Sequence, residues 1–454
     1  MYLEKNSIVY PNVHEYMRRG MDESFPQELL IEWKSIAAGY SEIASLWEGE
    51  KKVILSPQKV NSEFLSYHET YSGFNKLESI VPNKFTSETS FDFLQDNYVM
   101  KKIVCFAENS QDCYFIPWGA TKGAYSIVEK IKDLAYVKSI ELPKECNYWT
   151  SSYYDTKLGF KELCWCLNLP TPSAYLCDDI LEAKDIIKIL YRQKKSCVLK
   201  ANKGAGGFGN LFISNDDFKL SFEELENRID NQIKEMPYFN TGAMLIEELV
   251  EKRKSYKFSS GFANGFIYPD GTNCFVAAGS DYHDDNHYYS GAWLGKNIIS
   301  KDILSQLKET VDTIGNKLSK NGYRGHWGFN FLIDKNGKMV LLELNPRRCG
   351  ESHIHSLANK FYGDNWMETI TVLNHLPLDV IVERYIEPGE VLRQFEIANL
   401  LEKGAIAIPV QISWLEKKRF KGIGYIVMGE DISCVKTMDH KVKMLLSKIG
   451  IHAK

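Results

Sequence analysis

The sequence predicts a mixed α/β (α+β) fold made of more than one unit. Short apolar strands alternate with helical segments in the first third of the chain, which favours a small parallel sheet. Two hairpin patterns follow, one around a glycine-rich turn and one around residues 334–337, and these indicate antiparallel pairing. At 454 residues the chain is too long for one core, so we expect several subdomains.

Residues 1–149 are predicted to form an N-terminal α/β unit. Residues 1–50 have the pattern of helix and loop, and apolar runs bounded by polar residues follow them. The predicted elements are strands at 53–55, 103–107 and 114–116, with a helix at 124–134.

Residues 150–376 are predicted to form a second unit. Its first helix stops before Pro170, because proline cannot continue a helix. The predicted helices are 156–167, 180–191 and 222–234, and the predicted strands are 196–200, 211–213, 243–247, 327–333 and 338–344. Residues 377–454 are predicted as a C-terminal α+β extension, with strands at 405–412 and 422–428 and a helix from about Met438.

Composition excludes several classes of protein. Apolar residues make up 44% and charged residues 25%, the balance of a globular protein, and the net charge is -4. The chain has no strongly basic stripe, so we expect no nucleic-acid partner. It has no run of 18 apolar residues and its start lacks the apolar core of a signal peptide. We therefore expect a cytoplasmic protein with no membrane contact.

The glycine-rich turn after strand 196–200 has the composition of an anion site. It carries Gly204, Gly206, Gly207 and Gly209, and Lys200 ends the preceding strand. Glycines let backbone N–H groups approach phosphate oxygens closely, and the lysine could reach the same phosphates. A plain hairpin loop with a solvated lysine fits this turn equally well.

The strand at 338–344 ends in polar residues with a defined spacing. Glu343 and Asn345 alternate onto one face and offer hard oxygen atoms, the ligands that Mg²⁺ prefers. Asn330 on the partner strand could supply a third oxygen. Arg347 lies just beyond, where it could hold a transferring phosphate or an oxyanion. An exposed polar strand is disfavoured, because 340–344 is strongly apolar apart from Glu343.

A third cluster ends the apolar strand at 243–247. Glu247 and Glu248 are followed by Leu249 and Val250, and such a strand end could hold an adenine ring between backbone and side chains. Alone, this cluster fits a solvated acidic pair better.

Together the three clusters resemble the ATP-grasp superfamily over about residues 150–375. The order is Lys157 before a helix, Lys200 with the glycine turn, the hinge at Glu247, and then the Glu-x-Asn-x-Arg strand ending at Arg347. The details are most similar to amino-acid or peptide ligases that carry a pre-ATP-grasp domain. The resemblance implies the ATP-grasp fold, with a small pre-grasp unit before it.

The resemblance also implies a role for each matched residue. Lys157 and Lys200 would bind phosphates under the 204–209 loop, and Glu247 with the backbone of Glu248 and Val250 would hold adenine. Glu343, Asn345 and Asn330 would bind Mg²⁺, or Mn²⁺ in its place. Arg347 and Lys200 would be catalytic.

Two positions depart from the family pattern. An acid usually stands where this chain has Asn330, so the metal site loses one negative charge. An acid that often holds the ribose is replaced by Lys254, which leaves ribose recognition unassigned.

The substrate region is predicted less specifically. Residues 281–291 are dense in polar and aromatic groups and fall where family members carry a loop over the second substrate. His353 and His355 would share a face if their segment were extended. The candidate substrate residues are Asp281, His283, Arg324, Arg348 and Glu351.

The implied activity is ATP-dependent joining of a carboxylate to an amine through an acyl phosphate, with release of ADP and phosphate. The expected partners are small amino-acid-like carboxylates and amines, and a homo-oligomer is left open. The alternatives are a non-catalytic ATP-binding sensor or scaffold, a biotin-carboxylase-like enzyme and a kinase-like phosphotransfer enzyme.

Overall fold

A computed structural model gives the fold of the chain. It describes residues 5–19, 27–204, 209–235, 237–240, 242–253, 258–283, 289–417 and 421–454. Within those residues, no helix combines the length and apolarity needed to cross a membrane.

The strands follow one another along the whole chain. They are β1 (Asn6–Tyr10), β2 (Lys51–Leu55), β3 (Lys76–Ile80), β4 (Cys113–Pro117), β5 (Ala174–Cys177), β6 (Cys197–Ala201), β7 (Asn210–Ile213), β8 (Met244–Glu248), β9 (Ser260–Ile267), β10 (Asn273–His283), β11 (Tyr289–Gly295), β12 (Gly325–Ile333), β13 (Met339–Asn345), β14 (Thr371–Val382), β15 (Ala405–Gln411), β16 (Gly422–Gly429) and β17 (Ile451–Ala453).

The α-helices are interspersed among these strands. They are α1 (Val13–Arg18), α2 (Gln27–Ala37), α3 (Tyr40–Ala44), α4 (Ser62–Tyr71), α5 (Thr89–Gln95), α6 (Asn97–Glu108), α7 (Lys122–Lys132), α8 (Tyr148–Tyr154), α9 (Lys157–Cys166), α10 (Ile180–Arg192), α11 (Phe222–Glu235), α12 (Lys301–Lys320), α13 (Ser352–Tyr362), α14 (Trp366–Thr369), α15 (Pro388–Leu401) and α16 (Ile432–Lys448).

The N-terminal sheet is parallel and has the strand order β3-β2-β1-β4. The sequence predicts β2 and β4 correctly. It misses β1, which is central and pairs with both, because it assigns residues 1–50 to helix and loop, although Ile8, Val9 and Tyr10 form an apolar run as long as that of β2. It also misses the edge strand β3.

The predicted strand at 103–107 is wrong, because this segment lies in helix α6. The buried positions of α6 are Val99, Met100, Ile103, Val104 and Ala107, which recur at helical spacing. Asp96 caps the helix by accepting from the amide of Val99. The five apolar residues resemble a buried strand only when the preceding turn is left out of the window.

A small antiparallel sheet has the order β5-β8-β6-β7. β6 and β7 form the hairpin that the glycine turn predicts, with Lys200 opposite Asn210 in the Cα register. Helices α10 and α11 contribute apolar side chains to the core beneath this sheet. The sheet carries the glycine turn and the hinge strand β8.

The large sheet has the order β13-β12-β9-β10-β11-β14-β16-β15, and β17 pairs with the end of β14. The predicted boundary at residue 376 falls inside β14, and β15 and β16 extend the same sheet that carries the Glu-x-Asn-x-Arg strand. The predicted C-terminal helix is present as α16, which begins earlier, after Asp431 as its N-cap.

Candidate active site

The hairpin of β12 and β13 presents three polar side chains on one face. The Cα register pairs Asn330 with Glu343, and Gly328 with Asn345. The side-chain Nδ2 of Asn345 donates to Oδ1 of Asn330 at 3.1 Å. Leu344 points to the other face and is buried in the core under α12. Strand alternation therefore brings the predicted metal ligands together.

Arg347 follows β13, and its guanidinium is held from two sides. Nη2 donates to Oδ1 of Asn345 at 2.6 Å, and Nη1 donates to the carbonyl oxygen of Arg348 at 3.0 Å. The guanidinium carbon lies 5.7 Å from the ring centroid of Tyr16 and 5.6 Å from that of Trp118. Because both rings belong to the N-terminal unit, that unit helps to position Arg347.

Lys157 and Glu343 form an ion pair at the start of α9. Burial by itself would raise the pKa of Glu343, but the charges of Lys157, Lys200 and Arg347 outweigh it and lower the pKa to about 2. The carboxylate is therefore ionised at neutral pH. With the amide oxygens of Asn345 and Asn330 it offers a hard oxygen donor set that fits Mg²⁺.

Glu247 lies between two lysines. Lys161 Nζ is 2.7 Å from one carboxylate oxygen, and Lys200 Nζ is 2.6 Å from the other. Burial acts to raise the pKa of Glu247, yet the two ammonium groups hold it below its usual range. The structure thus pairs this carboxylate with Lys161 and Lys200, whereas the sequence assigns it to the adenine.

Lys161 is a further charged residue of this site, and the sequence motifs do not predict it. Its ammonium also donates to Oγ1 of Thr171 and to the carbonyl oxygen of Pro172, each at 2.7 Å, and its side chain is almost completely buried. A signal was present, because Lys161 follows Lys157 by four residues and so lies on the same face of α9.

The glycine turn closes the β6–β7 hairpin. The amide of Ala201 donates to the carbonyl oxygen of Gly209 at 2.8 Å, and Gly209 has φ +84, a conformation that favours glycine. Gly204 is at the near end of the turn. Gly206 and Gly207 lie outside the described residues, so their predicted phosphate contacts stay a prediction.

The hinge segment follows β8 directly. The amide of Glu248 donates to the carbonyl oxygen of Ser173 at 2.9 Å, and its side chain is exposed. Val250 is half-buried two residues later. Adenine binding by the backbone of these residues stays a prediction, and Lys254, at the expected ribose position, lies outside the described residues.

Asp281 and Glu351 lie beside the cluster formed by Asn330, Asn345 and Arg347. The side-chain Nδ2 of Asn330 donates to Oδ2 of Asp281 at 3.4 Å. Glu351 accepts from Nδ2 of Asn264 at 3.0 Å, and burial raises its pKa to about 7 even though Arg347 acts in the opposite direction. His283 ends β10, and its side chain is outside the described part of the chain.

Arg324 does not join this cluster, which corrects its assignment as a substrate residue. Its guanidinium donates to the backbone carbonyl oxygens of Pro269, Ser319 and Tyr323 at 3.1, 3.2 and 2.6 Å. These contacts tie the start of β12 to the turn after β9. The predicted shared face of His353 and His355 is also wrong, because both lie in helix α13, where residues two apart diverge.

Arg348 is likewise not a substrate residue, because its side chain is fully buried. Its Nη2 lies 2.8 Å from Oε2 of Glu48 and 2.5 Å from Oε1 of Glu141, and its Nε donates to Glu141 at 2.9 Å. Among the described residues, Glu48, Glu141 and His326 form a group compact enough to suggest a metal site. The guanidinium of Arg348 already contacts both acids, so this group is an ion cluster joining the N-terminal unit to the large sheet.

A small cleft between the N-terminal unit and the glycine hairpin contains further polar groups. Arg19 Nη2 lies 3.1 Å from Oδ2 of Asp155, and Lys203 Nζ donates to the carbonyl oxygen of Arg19 at 3.3 Å. The guanidinium of Arg19 covers the Tyr16 ring at 3.5 Å. Arg19 and Asp155 are not predicted from the sequence, since only the tertiary fold brings them together.

Comparison with curated proteins and family models gives one distant relative. No family model matches the chain. The chain is 23% identical over 243 residues to an L-propargylglycine–L-glutamate ligase of Streptantibioticus cattleyicolor. The match takes in 49% of this chain, and the chain spans 46% of that relative's length.

Solved structures match over nearly the whole chain. An ADP complex of N5-carboxyaminoimidazole ribonucleotide synthetase has a TM-score of 0.54 at 13% identity and covers 99% of this chain and 98% of its own. Biotin carboxylase from Campylobacter jejuni has a TM-score of 0.55 at 14% identity and covers 99% and 93%. Both are ATP-grasp enzymes, which confirms the fold that the sequence predicts. The chain therefore has the ATP-grasp fold.

Proposed function

We propose that the protein is an ADP-forming ligase that joins a carboxylate to an amine, with amino-acid-like substrates, through an acyl phosphate. The observation that carries the proposal is the convergence of Lys157, Lys200, Glu343, Asn345 and Arg347 in one cluster. Lysines, hard oxygen ligands and a fixed guanidinium are the groups that phosphoryl transfer and acyl substitution require.

In this proposal the lysines and the glycine turn hold the nucleotide phosphates. Lys200 would leave Glu247 for a phosphate, while Lys161, which has two partners besides Glu247, would stay and keep Glu247 neutralised. Glu343 and Asn345 would hold Mg²⁺, which supplies charge neutralisation on the phosphates when bound.

The reaction has two balanced steps. A carboxylate oxygen attacks the γ-phosphorus of ATP, the bond to the bridging oxygen breaks, and ADP leaves. An amine nitrogen then attacks the acyl carbon, the acyl–phosphate bond breaks, and inorganic phosphate leaves with the electron pair. Arg347 is held where it can stabilise the oxyanion of the tetrahedral intermediate.

Glu351 is our candidate for the group that takes the proton from the amine. It is buried close to the charges of Arg347 and Asp281, and its pKa of about 7 suits a base at neutral pH. Asn264 fixes one carboxylate oxygen by donating to it at 3.0 Å.

Replacing Glu351 by Gln should remove the acidic limb of the pH–rate profile. In the native protein Glu351 is protonated below about pH 7, so the rate of amide formation should fall there and rise towards a plateau above it. The variant should be roughly 10²-fold slower or more, with no limb near pH 7, while Gln can still accept from Asn264. The measurement is single-turnover amide formation from pH 5.5 to 9.

The matched control is Glu42→Gln. Burial also raises the pKa of Glu42 to about 7, but this carboxylate accepts from the amides of Ile412 and Ser413. The Glu42→Gln variant should therefore keep the fall in rate below about pH 7. A limb that survives in Glu351→Gln would assign the proton transfer to another group.

The preference for amino acids rests on two observations. The distant relative is named for ligation of two amino acids. In the cleft, Arg19 and Asp155 form an ion pair, and the two charges of a zwitterion could each take the place of one partner.

The test is to supply MgATP with a pool of amino acids and dipeptides and to measure nucleotides and new masses together. ADP, phosphate and a condensed amide in equal amounts would support the proposal and identify the substrates. AMP with pyrophosphate would overturn the acyl-phosphate route. ADP formed with bicarbonate alone, or with a stable phosphorylated product, would favour the carboxylase-like or kinase-like alternatives. Tight ATP binding without turnover would favour the sensor.

A further inference from the structure

Asn330 stands at a position of the metal-ligand face where one negative charge is lacking. Its neutral amide bridges two neighbours, because its Oδ1 accepts from Asn345 and its Nδ2 donates to Asp281. A chain of polar side chains therefore runs from Arg347 through Asn345 and Asn330 to Asp281.

The strand register explains how Asp281 reaches this chain. β10 is separated from β12 by β9, and the Cα partners run from Asn330 to Phe262 and from Phe262 to Gly279. Asp281 lies two residues beyond Gly279 and so on the same face of the sheet.

Gly279 makes room for the intervening ring. A Cβ atom at this position would lie 2.8 Å from Cζ of Phe262, so the Phe262 ring occupies the space above the glycine. The ring thus leans towards β10, and Asn330 and Asp281 can meet beside it.

We propose that Asp281 supplies the carboxylate that β12 lacks, completing with Glu343 and Asn345 the divalent-cation site for the nucleotide. Asn330 is then a positioning residue that orients Asp281 and Asn345 through the two ends of its amide. Two carboxylates and an amide oxygen form a donor set typical of Mg²⁺ bound together with phosphates. The inference rests on the proposed function, because it assigns ligands to the same nucleotide site.

The test is Mn²⁺ binding in the presence of ADP, followed by electron paramagnetic resonance of free Mn²⁺. Asp281→Asn should weaken Mn²⁺ binding about tenfold or more. The double variant Asp281→Asn with Asn330→Asp should regain most of the affinity, because the carboxylate returns to the same face from β12. The matched control Asp302→Asn, in the exposed first turn of α12, should bind Mn²⁺ as the native protein does.

The possible results separate this inference from the proposed function. If the native protein binds no Mn²⁺ with ADP, both fail. If it binds Mn²⁺ and Asp281→Asn binds equally well, the inference alone fails, and a selective loss of amino-acid affinity in that variant would assign Asp281 to the substrate. A double variant that is folded, as judged by an unchanged thermal melt, but stays as weak as Asp281→Asn would also overturn it.

Discussion

Replacing Arg347 by alanine is expected to lower turnover by about 10²- to 10³-fold, the loss typical of removing one oxyanion donor. Nucleotide binding should persist, because Lys157, Lys200 and Glu343 stay in place. Loss of the bond to Asn345 should change the affinity for ADP only slightly. The measurements are steady-state formation of ADP and amide, and ADP affinity by calorimetry.

Arg384→Ala is the control for the Arg347 variant. Arg384 is exposed and pairs with Glu390 at the surface, so its removal should leave both turnover and ADP binding unchanged. An Arg347→Ala protein that turns over normally would contradict the enzyme mechanism. One that loses ADP binding to the same degree would place Arg347 on the nucleotide rather than on the acyl group.

Replacing Arg348 by alanine is expected to destabilise the protein by about 3–5 kcal/mol, the cost of leaving buried charges uncompensated. Glu48 and Glu141 would remain buried without the guanidinium that contacts both. The free energy of unfolding from urea titrations measures this loss. The residual turnover of folded protein should stay near the native value, because Arg348 is not exposed to the cleft.

Two further variants check the reason for that loss. Glu48→Gln with Glu141→Gln in the Arg348→Ala background removes both uncompensated charges and should recover part of the stability. The surface variant Arg384→Ala should unfold at the native urea concentration. An Arg348→Ala protein as stable as the native one would show that the buried acids are neutralised by another group.

The residues that the sequence predicted best are those whose position follows from local periodicity. Glu343 and Asn345 alternate along one strand, and Gly337 marks the turn that returns β13 to β12, so their shared face follows from the pattern. Lys200 before the glycine turn is equally local. The fold class followed because these motifs occur in a fixed order along the chain.

The residues that the sequence missed or misplaced depend on contacts between distant segments. Arg19 meets Asp155 across 136 positions, and Arg348 meets Glu141 across 207. Arg347 and Arg348 are adjacent arginines with the same propensities, and only the packing of the N-terminal unit directs one to the cleft and the other into the interior. The strand predicted at 103–107 is wrong for a local reason, because five residues are too few to distinguish the helical period of about 3.6 from the strand period of about 2.

The order of strands in the large sheet has a consequence for the synthesis of the protein. β11 gains its outer neighbour only when residues 371–382 have left the ribosome, and β14 in turn waits for residues 422–429. Until then the nascent chain carries an unpaired, largely apolar strand edge, which is a template for association with other chains. The strands that carry the candidate site residues are all translated before this edge can close, so ribosome pausing within the segment 383–421 would prolong the stage at which the edge is unpaired.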